Sequence, residues 1–296
     1  MTNFDFIGRK AIWFAFSTAV IAVGIAALLI KGLAFGIEFK GGTMFEVKFA
    51  KNVAVDQVRT AVRPLGLGDS VIQRAGANGG IFLRTHELTV DKQQAVKDAL
   101  AKIGAKDFTI QGVGASWGKR LTEGTLMALL ISLMVVSTFI AARFEFKMGG
   151  AAVVALVHDI LVALGLYALL GREVTTSTVA AFLTILGYSL YDTIVVFDRV
   201  RENAPGLKSE TYSGMVNTSI NQSLRRSINT SLTSIIPVTS ILIFGGETLK
   251  DFAFALLVGL ASGAYSSIFI ASPILAMWKE TEPKYASLRK KLAKAS

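Results

Sequence analysis

Residues 174–197, VTTSTVAAFLTILGYSLYDTIVVF, decide the fold class. The stretch is uncharged from end to end except for one carboxylate, Asp192. A bilayer span takes about 20 predominantly apolar residues to cross roughly 30 Å of hydrocarbon. One charge near the centre costs about 2.5–3.5 kcal/mol on insertion scales, which neighbouring Leu, Ile, Val and Ala offset. The stretch therefore reads as a membrane-spanning helix with a carboxylate inside it. Residues 11–30, 124–142, 227–246 and 252–278 carry no charge at all, and residues 148–171 are interrupted only by His158 and Asp159. The chain thus reads as an α-helical integral membrane protein with six transmembrane helices. Composition agrees: 52% of the residues are hydrophobic and the mean hydropathy is +0.53, more apolar surface than a soluble core can use. There is no cysteine, so disulfides, cysteine zinc sites and iron–sulfur clusters are excluded.

The net charge of +10 is explained by where the basic residues fall. With the N-terminus in the cytoplasm, the inner segments hold Arg9, Lys10, Arg143, Lys147, Arg199, Arg201, Lys208, Arg225 and Arg226. The tail, residues 279–296, adds Lys279, Lys284, Arg289, Lys290, Lys291 and Lys294. The two short outer loops carry only Arg172 and Lys250. This is the positive-inside pattern for all six spans, with both termini cytoplasmic. The basic tail is read as an orientation and lipid-headgroup feature rather than a nucleic-acid site. The first apolar run is longer than a signal-peptide core and lacks an A-x-A site after it, so it is read as a retained span.

Between the first two spans, residues 35–117, continuous apolar runs give way to alternation. Residues 43–49 (TMFEVKF) alternate like a half-buried strand. Val55, Val58, Val62 and Leu65 recur at helical spacing. Residues 70–74 and 80–85 read as strands around a turn at residues 76–80. Residues 90–103 form a second amphipathic helix that places Val96, Leu100 and Ile103 inward and stops at Gly104. Residues 108–113 are a last strand. The order β-α-β-β-α-β predicts one small α+β ferredoxin-like extracytoplasmic domain. The polypeptide then divides into residues 1–34, residues 35–117, a bundle of residues 118–278 and the basic tail. The domain's histidine, His86, has no Cys or carboxylate at ligand spacing. Residues 113–119 (VGASWGK) lack the first glycine and the final Ser/Thr of a phosphate loop, so no nucleotide site is expected.

An ionisable residue inside a span is a functional hypothesis by default. Asp192 shares a helix face with Tyr188, Ser189 and Arg199. In the fifth span Arg226, Asn229 or Thr230, Thr233, Pro237 and Ser240 share another. Such stripes should face each other or a wet path rather than lipid. Burial and a nearby arginine pull a carboxyl's proton equilibrium in opposite senses, the condition a proton relay requires. Asp192 is therefore read as functional, against a static ion pair with Arg226. Asp159 stands between a functional and a structural reading, and helix glue explains Thr233 and Ser240 equally well. Gly259 and Gly263, four apart, permit close packing.

Several motifs carry a family resemblance. Residues 35–43 (FGIEFKGGT), 155–159 (ALVHD), 187–203 (GYSLYDTIVVFDRVREN), 221–233 (NQSLRRSINTSLT), Gly245–Gly246 and 259–273 (GLASGAYSSIFIASP) occur in order and spacing. They closely resemble the SecF branch of the SecD/SecF family of bacterial protein-export subunits, and the resemblance covers nearly the whole chain. It implies an RND-type half in the bacterial plasma (inner) membrane that is not an enzyme. It implies no soluble cofactor, only protons. Its implied partners are SecD, the SecYEG channel, YajC and YidC, exported unfolded polypeptides and membrane lipids, with no nucleic acid. By this resemblance Asp192 corresponds to the proton-pathway aspartate and Arg226 to its partner arginine, with Asp159 assigned to the same pathway. Tyr188, Ser189, Asn229 and Thr233 are the supporting polar residues. Tyr191 departs from the Asn found in many members. The competing readings are an RND-type transporter of lipid or a small hydrophobic molecule, and a passive scaffold for SecD and the channel.

Overall fold

The computed structural model describes residues 4–75 and 80–295. The turn expected at residues 76–80 lies outside the described residues apart from Gly80. The chain forms two compact units, Met1–Ala34 with Leu129–Ser296, and Phe35–Ala128.

In the sheet unit, β1 (Gly42–Phe49), α2 (Val55–Val62), β2 (Val71–Ala75), β3 (Gly80–Thr85), α3 (Val90–Ala101) and β4 (Ala105–Val113) follow the expected order; α1 precedes them at Lys10–Lys31. The strand order is β2-β3-β1-β4, antiparallel throughout, with Phe45 opposite Leu83 on one side and Ile110 on the other. This is the split β-α-β arrangement. Alternation along β1 buries Thr43, Phe45 and Val47, and the helices add Val58, Val62, Val96 and Leu100. Each fully buried aliphatic or aromatic side chain here contributes about 1.5–3 kcal/mol by leaving water. Leu65 departs from its expected place. The helix tightens into a 3₁₀ turn at Arg63–Leu65, which contains Pro64 and leaves Leu65 36% exposed. Ile103 is half-buried beyond the end of α3, against the same core. The second glycine of VGASWGK has a packing reason: a Cβ on Gly118 would stand 2.6 Å from the Phe39 carbonyl oxygen.

Six helices are long and apolar enough to cross a membrane among the described residues. They are α1, α4 (Ala115–Arg143), α5 (Phe146–Leu170), α6 (Thr176–Asn203), α7 (Tyr212–Phe244) and a last span built from α8 (Glu247–Ser266), a π-helical turn at Ser267–Ala271 and α9 (Ser272–Lys279). Helix α6 begins two residues later than expected, because Val174 is extended and the Thr175 hydroxyl accepts from the Thr178 N–H at 3.3 Å. Helix α7 begins far earlier than residue 227. Its first turns are amphipathic and bury Tyr212, Met215, Val216 and Ile220. The π turn precedes Pro273, which has no N–H to donate to the turn before it. Gly259 and Gly263 face Ile185 and Ser189 of α6, so their spacing serves an internal contact. Lipid is as apolar as Leu, so close packing and interhelical hydrogen bonds, rather than hydrophobic burial, hold these helices together.

The basic tail is a docked helix, α10 (Pro283–Ala295). Tyr285 packs its ring 4.6 Å from that of Tyr212, and Arg289 reaches Glu280 at 3.3 Å. Just before it, Glu282 pairs with Lys147 and Lys279, each at 3.3 Å, and Lys279 also pairs with Glu145. Burial alone would raise the Glu282 carboxyl. The hydrogen bonds from Lys147 and Lys279 act the other way and hold it below the ordinary carboxylate range. A depressed carboxyl contributes stability above its unfolded value, about 4.3, and loses it as pH falls through the folded value. Limited proteolysis at Lys284 and Arg289 is therefore expected to accelerate on acidification from about pH 6 to about pH 3. A cleavage rate flat across that range would remove Glu282 from the docking contact.

Candidate functional site: two buried carboxylates

Asp192 and Asp159 are both buried, 5% and 0% exposed, in different surroundings. Asp192, on α6, faces α7. Its Oδ1 accepts from the Thr230 hydroxyl at 3.4 Å and its Oδ2 from the Ser231 hydroxyl at 3.1 Å. Thr230 also bonds the carbonyls of Arg226 and Ser227, each at 3.0 Å, so its single hydrogen is shared. A carboxylate can accept about four hydrogen bonds. Asp192 is thus lightly held and has spare capacity.

Arg226 does not pair with it. Its Nη2 donates to the Tyr191 hydroxyl at 3.1 Å, on the exposed side of the same two helices. The Tyr191 phenol is therefore the arginine's partner here. Of the expected polar residues, Tyr188 bonds Ser234, Arg199 bonds Gln222 and Glu202, and Thr233 bonds the carbonyl of Thr230. The expected stripe on α7 exists: Thr230 and Arg226 reach Asp192 and Tyr191 of α6, while Asn229, Thr233, Pro237 and Ser240 lie on the exposed side. The inward face carries Ser223, Ser227 and Ser231. Together with Tyr188 and Tyr191 on α6, the outward stripe forms an exposed polar seam between apolar surfaces.

Asp159, on α5, is enclosed. It accepts from Ser189 of α6 at 2.5 Å, from Ser262 of α8 at 2.6 Å, from Ser266 of α8 at 2.8 Å, and lies 3.0 Å from His158 Nδ1. Ser189 belongs to this cage and not to the surroundings of Asp192. Sequence reading missed Ser231 at the first site, and Ser262, Ser266 and Ser17 at the second. The four-residue repeat Ser223, Ser227, Ser231 was the one available signal.

Six spans, a split β-α-β domain inserted after the first, buried carboxylates and a polar seam define a transport-type membrane protein. The comparisons with known proteins say which. Residues 93–281 match the model for the C-terminal part of the protein export membrane protein SecD/SecF, and residues 26–53, including Gly41–Gly42, match the SecD/SecF GG motif. The chain belongs to the SecD/SecF family of protein export membrane proteins. It is 38% identical to the protein translocase subunit SecF of Streptomyces coelicolor over 98% of this chain and 80% of that one. It is 39% identical to that of Magnetococcus marinus over 93% and 91%. The crystal structure of SecDF, a translocon-associated membrane protein from Thermus thermophilus, superposes with a TM-score of 0.88 at 34% identity over 94% of this chain. The super-membrane-facing form of SecDF superposes with a TM-score of 0.71 at 32% identity. The chain spans only 39% and 40% of those two SecDF chains.

Proposed function

We propose that the chain is the SecF-type subunit of a protein-export translocase that works with SecD to couple the proton-motive force to movement of secreted polypeptides out of the SecYEG channel. The observation that carries this reading is the lightly held carboxylate of Asp192 beside a polar seam that lipid cannot solvate. The seam fits a second, similar half, the part that SecD contributes where both occur in one chain. With the halves joined, Arg226, Tyr191 and Asn229 lie inside the assembly, and Arg226 can exchange Tyr191 for a carboxylate. Protons alone, with no soluble cofactor and no covalent catalysis, supply the work. One charge crossing 100 mV supplies about 2.3 kcal/mol.

The exposed edge strand β4 offers a place for an extended substrate chain to add by backbone hydrogen bonding. The subunit resides in the bacterial inner membrane with both termini cytoplasmic, next to anionic lipid, and YajC and YidC are candidate further partners. A lipid or small-molecule transporter would need a large cavity. One pocket in the sheet domain, about 560 Å³ and lined by Asp56, Gln57, Thr60, Ala61 and Ile103, is open rather than enclosed. Depletion of the chain is expected to slow processing of secretory precursors in pulse-chase labelling several-fold. Unchanged processing, with the chain gone by immunoblot, would count against an export role.

A further inference from the structure

The network around Asp159 extends to the first span. His158 Nε2 lies 3.1 Å from the Ser17 hydroxyl of α1, Ser17 lies 3.1 Å from the Tyr265 hydroxyl of α8, and Tyr265 lies 3.1 Å from the Trp13 carbonyl of α1. With the His158–Asp159 contact this makes four links in series. A neutral imidazole, a serine and a tyrosine bring one hydrogen each. A Trp13 carbonyl brings none, and an ionised Asp159 brings none. Three hydrogens cannot fill four links.

The other surroundings do not supply the missing one. The Ser189, Ser262 and Ser266 hydroxyls already donate to Asp159. Tyr265 is the other titratable group in contact among the described residues, and its hydroxyl hydrogen is one of those counted. Asp192, one turn along α6, bonds toward α7. The neutral ring with its hydrogen on Nε2 fills the three later links, but then sets a bare Nδ1 against a bare carboxylate oxygen at 3.0 Å.

We infer that His158 and Asp159 together hold one proton more than a neutral imidazole and a carboxylate, forming a second proton-binding position in the membrane unit, distinct from Asp192. With that proton present, either as imidazolium–carboxylate or as Asp159 carboxylic acid donating to Nδ1, every link is filled. Asp159 then has its full complement of partners. Without it, the Ser17 hydroxyl must choose between His158 and Tyr265, and one bond between α1 and its neighbours is lost. Proton occupancy is thereby tied to the helix that leads directly into the sheet domain. The inference goes beyond the export reading and holds or fails independently of it.

The chain has two histidines, and His86 is exposed in the sheet domain. A His86→Gln chain in lipid nanodiscs leaves His158 as the sole imidazole for ¹⁵N resonance measurements at pH 7. The expected spectrum shows either both ring nitrogens protonated, or Nε2 protonated with Nδ1 accepting a hydrogen bond. A neutral ring protonated at Nδ1 alone would overturn the proposal. Ser17→Ala removes two of the four links and is expected to convert the ring to that neutral Nδ1–H form. Ser17→Thr keeps the hydroxyl and is expected to retain the parent spectrum. An unchanged spectrum in Ser17→Ala would overturn the coupling to α1.

Discussion

Replacing Asp192 by Asn is expected to lower the proton-gradient-dependent part of export at least about tenfold, the effect of a 1.4 kcal/mol rise in barrier, with the chain folded and still bound to SecD. The amide has nearly the carboxylate's volume and keeps one acceptor oxygen for Ser231 or Thr230. What it cannot do is take up and release a proton. Few side chains suit so conservative a test, because the parent carboxylate makes only these two hydrogen bonds among the described residues, both long. The same substitution at Asp159 would set an amide N–H₂ among serine hydroxyls that already donate, and would confuse lost folding with lost chemistry. Export in inverted membrane vesicles, with and without an imposed gradient, separates the two contributions, and co-purification of SecD monitors assembly. Full gradient dependence in the Asp192→Asn vesicles would remove the relay role and leave a scaffold as the better account.

The second large effect is expected at Gly165. A Cβ built there would stand 2.6 Å from the Cα of Gly24, and one built on Gly24 would stand 2.9 Å from the Cα of Gly165. The obstacle is backbone on both sides, so no side chain can turn aside. Gly165→Leu must separate α1 from α5, and overpacking of this kind typically costs about 1–3 kcal/mol. The value here should lie at the upper end, because the separation also pulls Ser17 away from His158. Gly165→Ala should fall between parent and Leu. The fraction of monodisperse protein remaining after a heating series, read by size exclusion in detergent, orders the three. Equal midpoints for parent and Gly165→Leu would show that the helices do not meet closely there.

Much of this architecture was readable because each medium writes its own period. Four uninterrupted apolar runs and two broken only by His158–Asp159 and by Asp192 gave the six spans, and the alternation in residues 43–49 gave β1 and, with it, the split β-α-β order. Helix ends were less readable. Residues 212–226 of α7 are amphipathic and look like a loop to a criterion built on hydropathy, although Tyr212, Met215 and Val216 bury one face of them. The candidate site was half readable. Asp192, Asp159 and Arg226 stand out because charge in a span is rare. The stripe on α7 was readable as one face, and Thr230 and Arg226 do reach α6 from it, but its spacing did not single out the serine face beside it. Helical spacing says which residues share a face, and here both the serine face and the Arg226–Asn229–Thr233 face are polar, so polarity could not choose between them. The cage around Asp159 was invisible for a related reason. Serine is cheap in a span, and the three helices that bring Ser17, Ser189, Ser262 and Ser266 to the His158–Asp159 pair are spread along the chain.

The exposed seam of Tyr188, Tyr191, Arg226, Asn229 and Thr233 bears on the life of the subunit before assembly. An arginine and an amide turned toward acyl chains draw water or headgroups into the bilayer, at a cost the surrounding helices cannot remove. A newly inserted copy without its other half thus displays on its own surface the mark of an orphan, of the kind membrane proteases and holdases recognise. Its cellular level should follow the supply of SecD rather than its own rate of synthesis, so that overproduction alone yields a short-lived pool. A half-life that does not lengthen when SecD is co-produced would mean the seam is already covered by something else.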